Sequence, residues 1–197
     1  NVRDEQEQKA KVQGKIISLT HLDKVLWPKE HFTKRDIIEY YHLIAPYIIP
    51  YVKDRPVMLH RYPNGIEDGG FYQKNMSNAE HLEWLKTVKI AHENRDVDYV
   101  LIQNEATLLY LVNWGCLEFH TFLGRAGHLD HPDCLVFDLD PNGIDFSYVI
   151  EAAQVLHALL EERKITNCCK TSGSCGLHVY VPLNQKIEIK FYFTFIY

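Results

Sequence analysis

The sequence predicts an α/β or α+β fold built on a sheet core, and three observations carry that reading. Strand-like and helix-like segments follow one another in mixed order along the 197 residues. Short apolar runs end in Pro, Asn and Gly turns, and one segment, 147–163, has strong helical periodicity. Composition agrees: 46% hydrophobic and 24% charged residues exclude disordered, collagen-like and low-complexity classes. No apolar run approaches the ~20 residues of a membrane span, so no membrane partner is expected.

Each element follows from local chemistry. Residues 1–14, rich in Lys, Glu and Gln, read as a flexible lead-in or an exposed helix ahead of a domain over 15–185. A β-prone run, 15–19, opens that domain. Thr33 before Lys34, Arg35 and Asp36 makes a capping-box-like helix start. Ile37, Ile38, Tyr41, Ile44, Ala45 and Ile48 then follow helical spacing, with a kink or break expected at Pro46. Residues 55–62 read as a strand ended by Pro63-Asn64-Gly65, and Gly69-Gly70-Phe71-Tyr72 opens another. Strand-like 99–103 precedes an apolar helix over 105–114, stopped at Gly115.

Residues 116–122 read as strand, and 134–138 as a short apolar strand entering two acids. The helix over 147–163 places Val149, Ala152, Ala153, Leu156, Leu159 and Leu160 on one face. A glycine-rich turn, 172–176, leads into a last strand over 177–181. The tail, 186–197, is crowded with aromatic residues and reads as a buried strand or a cut end. The chain is accordingly expected to be shorter than its complete relatives.

The formal net charge of −5 argues against a generally basic nucleic-acid surface, so any such contact needs a local patch. Lys15, Lys24, Lys29, Lys34 and Arg35 supply one suited to phosphates, or else a solvated helix start. Five cysteines without disulfide-framework spacing, and no apparent secretory signal, fit a reducing cytoplasm.

Several constellations bear chemistry. In a strand, Asp138 and Asp140 project to the same side while Leu139 faces the other. Paired carboxylates repel unless neutralised, and a divalent ion does this well; the alternative is a strand end turning through Asp-Pro-Asn-Gly. Ser172-Gly173-Ser174-Cys175-Gly176-Leu177-His178 reads as an anion cradle of backbone donors and hydroxyls, or as an ordinary hairpin turn. Phe71-Tyr72-Gln73-Lys74 puts one ring in the core and leaves the other able to stack on a base, or uses both structurally. A zinc reading of His128, His131 and Cys134 lacks the pair of ligand pairs that structural sites favour.

Six blocks in register resemble the polymerase domain of bacterial DNA ligase D, a branch of the archaeo-eukaryotic primase superfamily. They are Asp23-Lys24-Val25-Leu26-Trp27-Pro28, Arg55-Pro56-Val57, Gly70-Phe71-Tyr72-Gln73-Lys74, Leu117-Glu118-Phe119-His120, Val136-Phe137-Asp138-Leu139-Asp140-Pro141, and Lys170-Thr171-Ser172-Gly173 continuing to Gly176-Leu177-His178-Val179. The resemblance implies a primase-like fold whose mixed, largely antiparallel central sheet is flanked by helices. It implies a nucleotidyltransferase that adds ribo- or deoxyribonucleotides to DNA 3′ ends in non-homologous end joining, by two-metal phosphoryl transfer.

On that resemblance, Asp138 and Asp140 would be catalytic ligands of Mn2+ or Mg2+. Ser172, Gly173, Ser174, Gly176 and His178 would contact the incoming NTP or dNTP. His120 would sit beside the sugar and phosphates as a catalytic residue, and Phe71 or Tyr72 would stack on base or template. Lys24, Lys34 and His21 (relatives often carry asparagine there) would hold the 5′-phosphate at a gap. The implied partners are gapped or broken DNA, ligase and nuclease modules, and the end-binding protein Ku, in a bacterial cytoplasm at the nucleoid. Cys175 stands where relatives usually have lysine. The superfamily's third metal-binding aspartate has no counterpart here, Glu188 being the only acid after His178. The rival expectation is a DNA-end binding module without turnover; a metal phosphoesterase is a third.

Overall fold

Two-residue turns, proline-tolerant helix packing and in-register antiparallel pairing generate the architecture, which is that of a computed structural model describing residues 7–77, 82–93 and 95–183. The chain divides into two units, Asn1–Phe122 and Leu123–Tyr197, where the sequence reading drew one domain. The tail 186–197 and Glu188 lie outside the described residues.

The first unit opens on a hairpin. Strands β1 (Glu7–Val12) and β2 (Lys15–Thr20) pair antiparallel. Gln13 and Gly14 join them with φ of 48° and 80°, the left-handed pair that a tight two-residue hairpin loop requires. This corrects the flexible or helical lead-in for residues 7–12: Ala10 and Val12, two apart, are half-buried on one side of the strand.

Strands β3 (Val25–Trp27) and β4 (Phe32–Thr33) lead to helix α1 (Lys34–Val52). The expected capping box is formed: Thr33 N–H donates to Asp36 Oδ2 at 2.6 Å, and Asp36 N–H to Thr33 Oγ1 at 3.4 Å. The hydroxyl and amide of Thr33 hold the Asp36 carboxyl below its ordinary value. Thr33→Ala removes the hydroxyl acceptor and is expected to destabilise the protein by about 1 kcal/mol in a denaturant titration.

α1 does not break at Pro46, as the sequence reading expected; it runs through Pro46 and Pro50. Both prolines are exposed, so carbonyls left without an N–H partner turn to water while Ile38, Tyr41 and Ala45 stay buried. Tyr41 Oη donates to the Leu117 carbonyl at 2.7 Å.

Helix α2 (Glu105–Asn113) packs against α1 and buries every residue after Glu105. Asn104 caps its start and Gly115, at φ 80°, ends it. Beside these helices lies a five-stranded sheet centred on β5 (Pro56–Arg61). β9 (Cys116–Thr121) runs along one edge of β5. β8 (Asp96–Leu101) and β6 (Phe71–Gln73) share the other, with β7 (Thr87–Ala91) beyond β8. Val57, Leu59, Val100, Ile102, Leu108 and Leu111 are fully buried in this unit's core.

In the second unit, β10 (Cys134–Leu139), β12 (Leu177–Pro182) and β11 (Cys168–Thr171) form a sheet in that spatial order. Helix α3 (Phe146–Glu162) packs against β10 and β12. Its buried stripe is narrower than the periodicity predicts: Val149 and Ala153 are buried, whereas Ala152 and Leu159 are exposed. Every strand pairing among the described residues is antiparallel. The fold is thus mixed α/β with antiparallel sheets, and among the described residues no helix is long and apolar enough to cross a membrane.

Candidate functional site

Antiparallel register decides which polar side chains meet in the second unit. Asp138 on β10 is the partner of His178 on β12, and His178 is the partner of Lys170 on β11. Partners directly opposite share a face, so a carboxylate, an imidazole and an ammonium stand in one row across three strands. His178 Nε2 lies 3.3 Å from Asp138 Oδ1, and His178 Nδ1 is buried without a hydrogen-bond partner among the described residues. Asp138 and Asp140 are both exposed, with Leu139 between them half-buried, as strand alternation requires.

The glycine bend closes against these acids. Ser172 N–H donates to the Gly176 carbonyl at 2.9 Å, and Ser172 Oγ accepts from Gly176 N–H at 3.0 Å and Ser174 N–H at 3.3 Å. A Cβ at Gly176 would meet the Leu139 carbonyl at 2.6 Å and collide with the Asp140 carboxylate. Asp140 therefore rests on the bend. Two of the backbone donors expected to cradle an anion are already held by Ser172, while Gly173, Ser174 and Cys175 are exposed at the tip.

The acid pair suits a hard dication in donor type, offering exposed carboxylate oxygens beside a histidine. His178 pairs with Asp138, but among the described residues no group of three His, Cys, Asp or Glu ligand atoms gathers around the acid pair. His128, His131 and Cys134 do not cluster either; His131 pairs with Asp130 at 2.9 Å.

The first unit carries two further polar sites. Around β5, Tyr72 stacks on His60 with ring centroids 4.1 Å apart and meets His120 edge-on at 5.4 Å. Phe71 and Tyr72 are both exposed, which corrects the expectation that alternation buries one of them. β6 is short and, among the described residues, pairs only with β5, so each ring has one side against β5 residues: Phe71 takes the Arg61 guanidinium 5.4 Å from its ring centre. Burial alone would raise the Glu118 carboxyl, but hydrogen bonds from His60, His120 and Tyr62 outweigh it and hold it below its ordinary value.

The second is a cavity of about 240 Å³ lined by His21, Lys24, Lys34, Arg61, Asn113 and Trp114 among others. Lys34 Nζ donates to the Thr20 carbonyl at 2.7 Å, and Lys24 Nζ to the Pro63 carbonyl at 2.7 Å. Burial, reinforced by the Lys24 charge, pushes the Lys34 ammonium down to about 8. His21 has φ 54° and shapes the turn before Lys24.

Beside the expected residues stand Lys170 and Glu118, which lie in the quoted blocks but carry no expected role, and Arg61 and His60, which lie outside them. For Lys170 the signal lay in strand register, which places it beside His178.

Comparison with known proteins gives concordant results. The model of the LigD primase-polymerase domain family matches residues 33–195. The chain is 33% identical over 175 residues to the multifunctional non-homologous end joining protein LigD of Mycolicibacterium smegmatis, covering 87% of this chain and 23% of that protein. It is also 33% identical over 175 residues to the bifunctional LigD of Bacillus subtilis, covering 86% and 27%. It is similar in structure to the polymerase domain from Mycobacterium tuberculosis Ligase D in complex with DNA, with a TM-score of 0.78 and 32% identity over 85% of this chain and 61% of that one. The chain spans about a quarter of the length of the LigD proteins it matches.

Proposed function

The chain belongs to the LigD primase-polymerase domain family, and on that premise we propose that it adds ribo- or deoxyribonucleotides to DNA 3′ ends during end joining. The observation that carries the reading is the pairing of Asp138 with His178 beside a bend on which Asp140 rests. Asp138 and Asp140 would hold Mn2+ or Mg2+. Bound there, the ion supplies charge neutralisation along the triphosphate and activates the primer hydroxyl.

The remaining work falls to positioned side chains. Nucleotidyl transfer asks chiefly for alignment and electrostatic stabilisation rather than a protein nucleophile. His178 and Lys170, in one cross-strand row, offer nitrogen donors to phosphate oxygens, and Lys170 supplies the cation that Cys175 does not. Ser172 shapes the bend through its own hydroxyl, leaving Gly173 and Ser174 at the tip to approach the polyphosphate. Base stacking would fall to the exposed Phe71 and Tyr72, and contact with the nucleotide sugar to His120. Lys24, Lys34 and His21 bind the 5′-phosphate of a gap. In a longer protein, ligase and nuclease modules and Ku would be the partners of a nucleoid-located enzyme.

Primer extension on 5′-phosphorylated gapped DNA with manganese and ribonucleotides tests the reading. Template-directed growth supports it. Tight gap binding without growth would overturn it in favour of an end-binding module.

The lysine cavity makes a separate prediction. Lys34 loses its proton around pH 8 rather than near 10.5. Affinity for the 5′-phosphate should therefore fall by about tenfold between roughly pH 7 and pH 9, measured by fluorescence anisotropy with and without the phosphate. Stability moves the other way. The unfolded chain binds more protons between about 8 and 10.5, so this group adds stability as pH rises through that window.

A further inference from the structure

Three side chains on neighbouring strands converge on one face of the first unit. His60 of β5 is the register partner of Glu118 of β9, and His120 follows two residues later on the same side of β9. One ligand atom from each lies within 4.8 Å of the others. Glu118 Oε2 is shared by His60 Nδ1 at 3.1 Å and His120 Nε2 at 3.2 Å. The Tyr62 hydroxyl donates to the other carboxylate oxygen, Oε1, at 3.2 Å.

We propose that His60, Glu118 and His120, all of the first unit, bind a divalent transition ion of the zinc type. The donor set is the reason. Two imidazole nitrogens and one carboxylate are borderline ligands that suit zinc, whereas an all-oxygen pair suits manganese or magnesium. Binding asks little of the geometry, because the nitrogens that face Glu118 in the hydrogen-bonded form are the ones that would turn to the ion. A ring nitrogen that binds the ion carries no proton, so each imidazole would bind in the tautomer protonated at its other nitrogen.

The surroundings are those of a supported site. Tyr62 fixes the carboxylate, the outer-shell role that tunes metal ligands. Tyr72 stacked at 4.1 Å restrains the His60 ring. Gly70 leaves space beside that ring, since a Cβ there would stand 2.7 Å from His60 Nε2. Side-chain exposures of 42% for His120 and 48% for Glu118 leave a path for the ion and a position for water. Occupancy would pin β9 to β5 and fix the ring of His120. None of this depends on the polymerase reading.

The test uses the chain stripped of metal and titrated with Co2+, the optical probe of zinc sites. The expected result is a visible band of a four- or five-coordinate ion, saturating at one equivalent and bleached by Zn2+. It should survive Asp138→Ala with Asp140→Ala. Affinity should fall more than about tenfold in His60→Gln and Glu118→Gln, and by about 10- to 100-fold in Tyr62→Phe, each shown to be folded by circular dichroism. A wild-type chain without the band, a band that follows Asp138 and Asp140, or one undiminished in folded His60→Gln overturns the proposal. Should those variants not fold, histidine modification by diethyl pyrocarbonate on the unaltered chain decides. Zn2+ should slow modification at His60 and His120, and equal rates with and without it would overturn the site.

Discussion

Asp138→Ala is expected to lower the rate of nucleotide addition to primed, gapped DNA by about 10³-fold, equivalent to ~4 kcal/mol of transition-state stabilisation. The loss follows from where the carboxylate stands. It is exposed at the end of β10, paired with His178 at 3.3 Å, and one residue from the segment that meets the glycine bend. Alanine removes the negative charge that would hold the ion and takes from His178 its carboxylate partner across the strand pair. Stability should change little, because no core residue loses a contact and exposed ion pairs contribute about 0–1 kcal/mol. Binding of a 5′-phosphorylated gap should also persist, since the lysine cavity is built from residues of the first unit alone. Single-turnover primer extension with manganese, alongside anisotropy with the same DNA, separates the two effects. Parent-like extension would remove Asp138 from the chemistry.

Much of this arrangement was legible in the residues, for identifiable reasons. Local signals were reliable: Thr33 and Asp36 announce the α1 start, Gly115 the α2 end, and the apolar run before Asp138 the strand β10. Signals that depend on partners were not. Pro46 disrupts an isolated helix, yet α1 continues because its opposite face is anchored by Ile38, Tyr41 and Ala45. Strand β1 hides in a polar segment where only Ala10, Val12 and the Gly14 turn mark it, whereas β2 shows in its apolar run. Lys170 and His60 acquire meaning from register, a long-range property that no window of sequence contains. The same holds for Ser172: its hydroxyl also accepts two amides of its own bend, a contact the motif alone does not announce.

Gly176→Ala is expected to reduce nucleotide addition by about 10²-fold while Gly173→Ala costs far less, and the contrast isolates the role of the bend. Both glycines lie in the same turn, but they are constrained differently. Gly173 has φ 98° with nothing within 4 Å of an added Cβ, so alanine there meets only backbone strain of about 1–2 kcal/mol. Gly176 is buried, and its Cβ would stand 2.6 Å from the Leu139 carbonyl while overlapping the Asp140 carboxylate. The carboxylate can rotate away; the carbonyl belongs to β10 and can move only with the strand. Gly176 also closes the bend through its amide to Ser172 Oγ and its carbonyl to Ser172 N–H. Displacing it shifts Asp140, Ser172 and the end of β10 together, and a misplacement of about 1 Å is enough for a loss of this size. Rates and melting temperatures of the two variants, measured side by side, check the argument. Equal losses in both would mean that turn strain governs the effect, and an unimpaired Gly176→Ala would mean that Asp140 can leave the bend without consequence for the reaction.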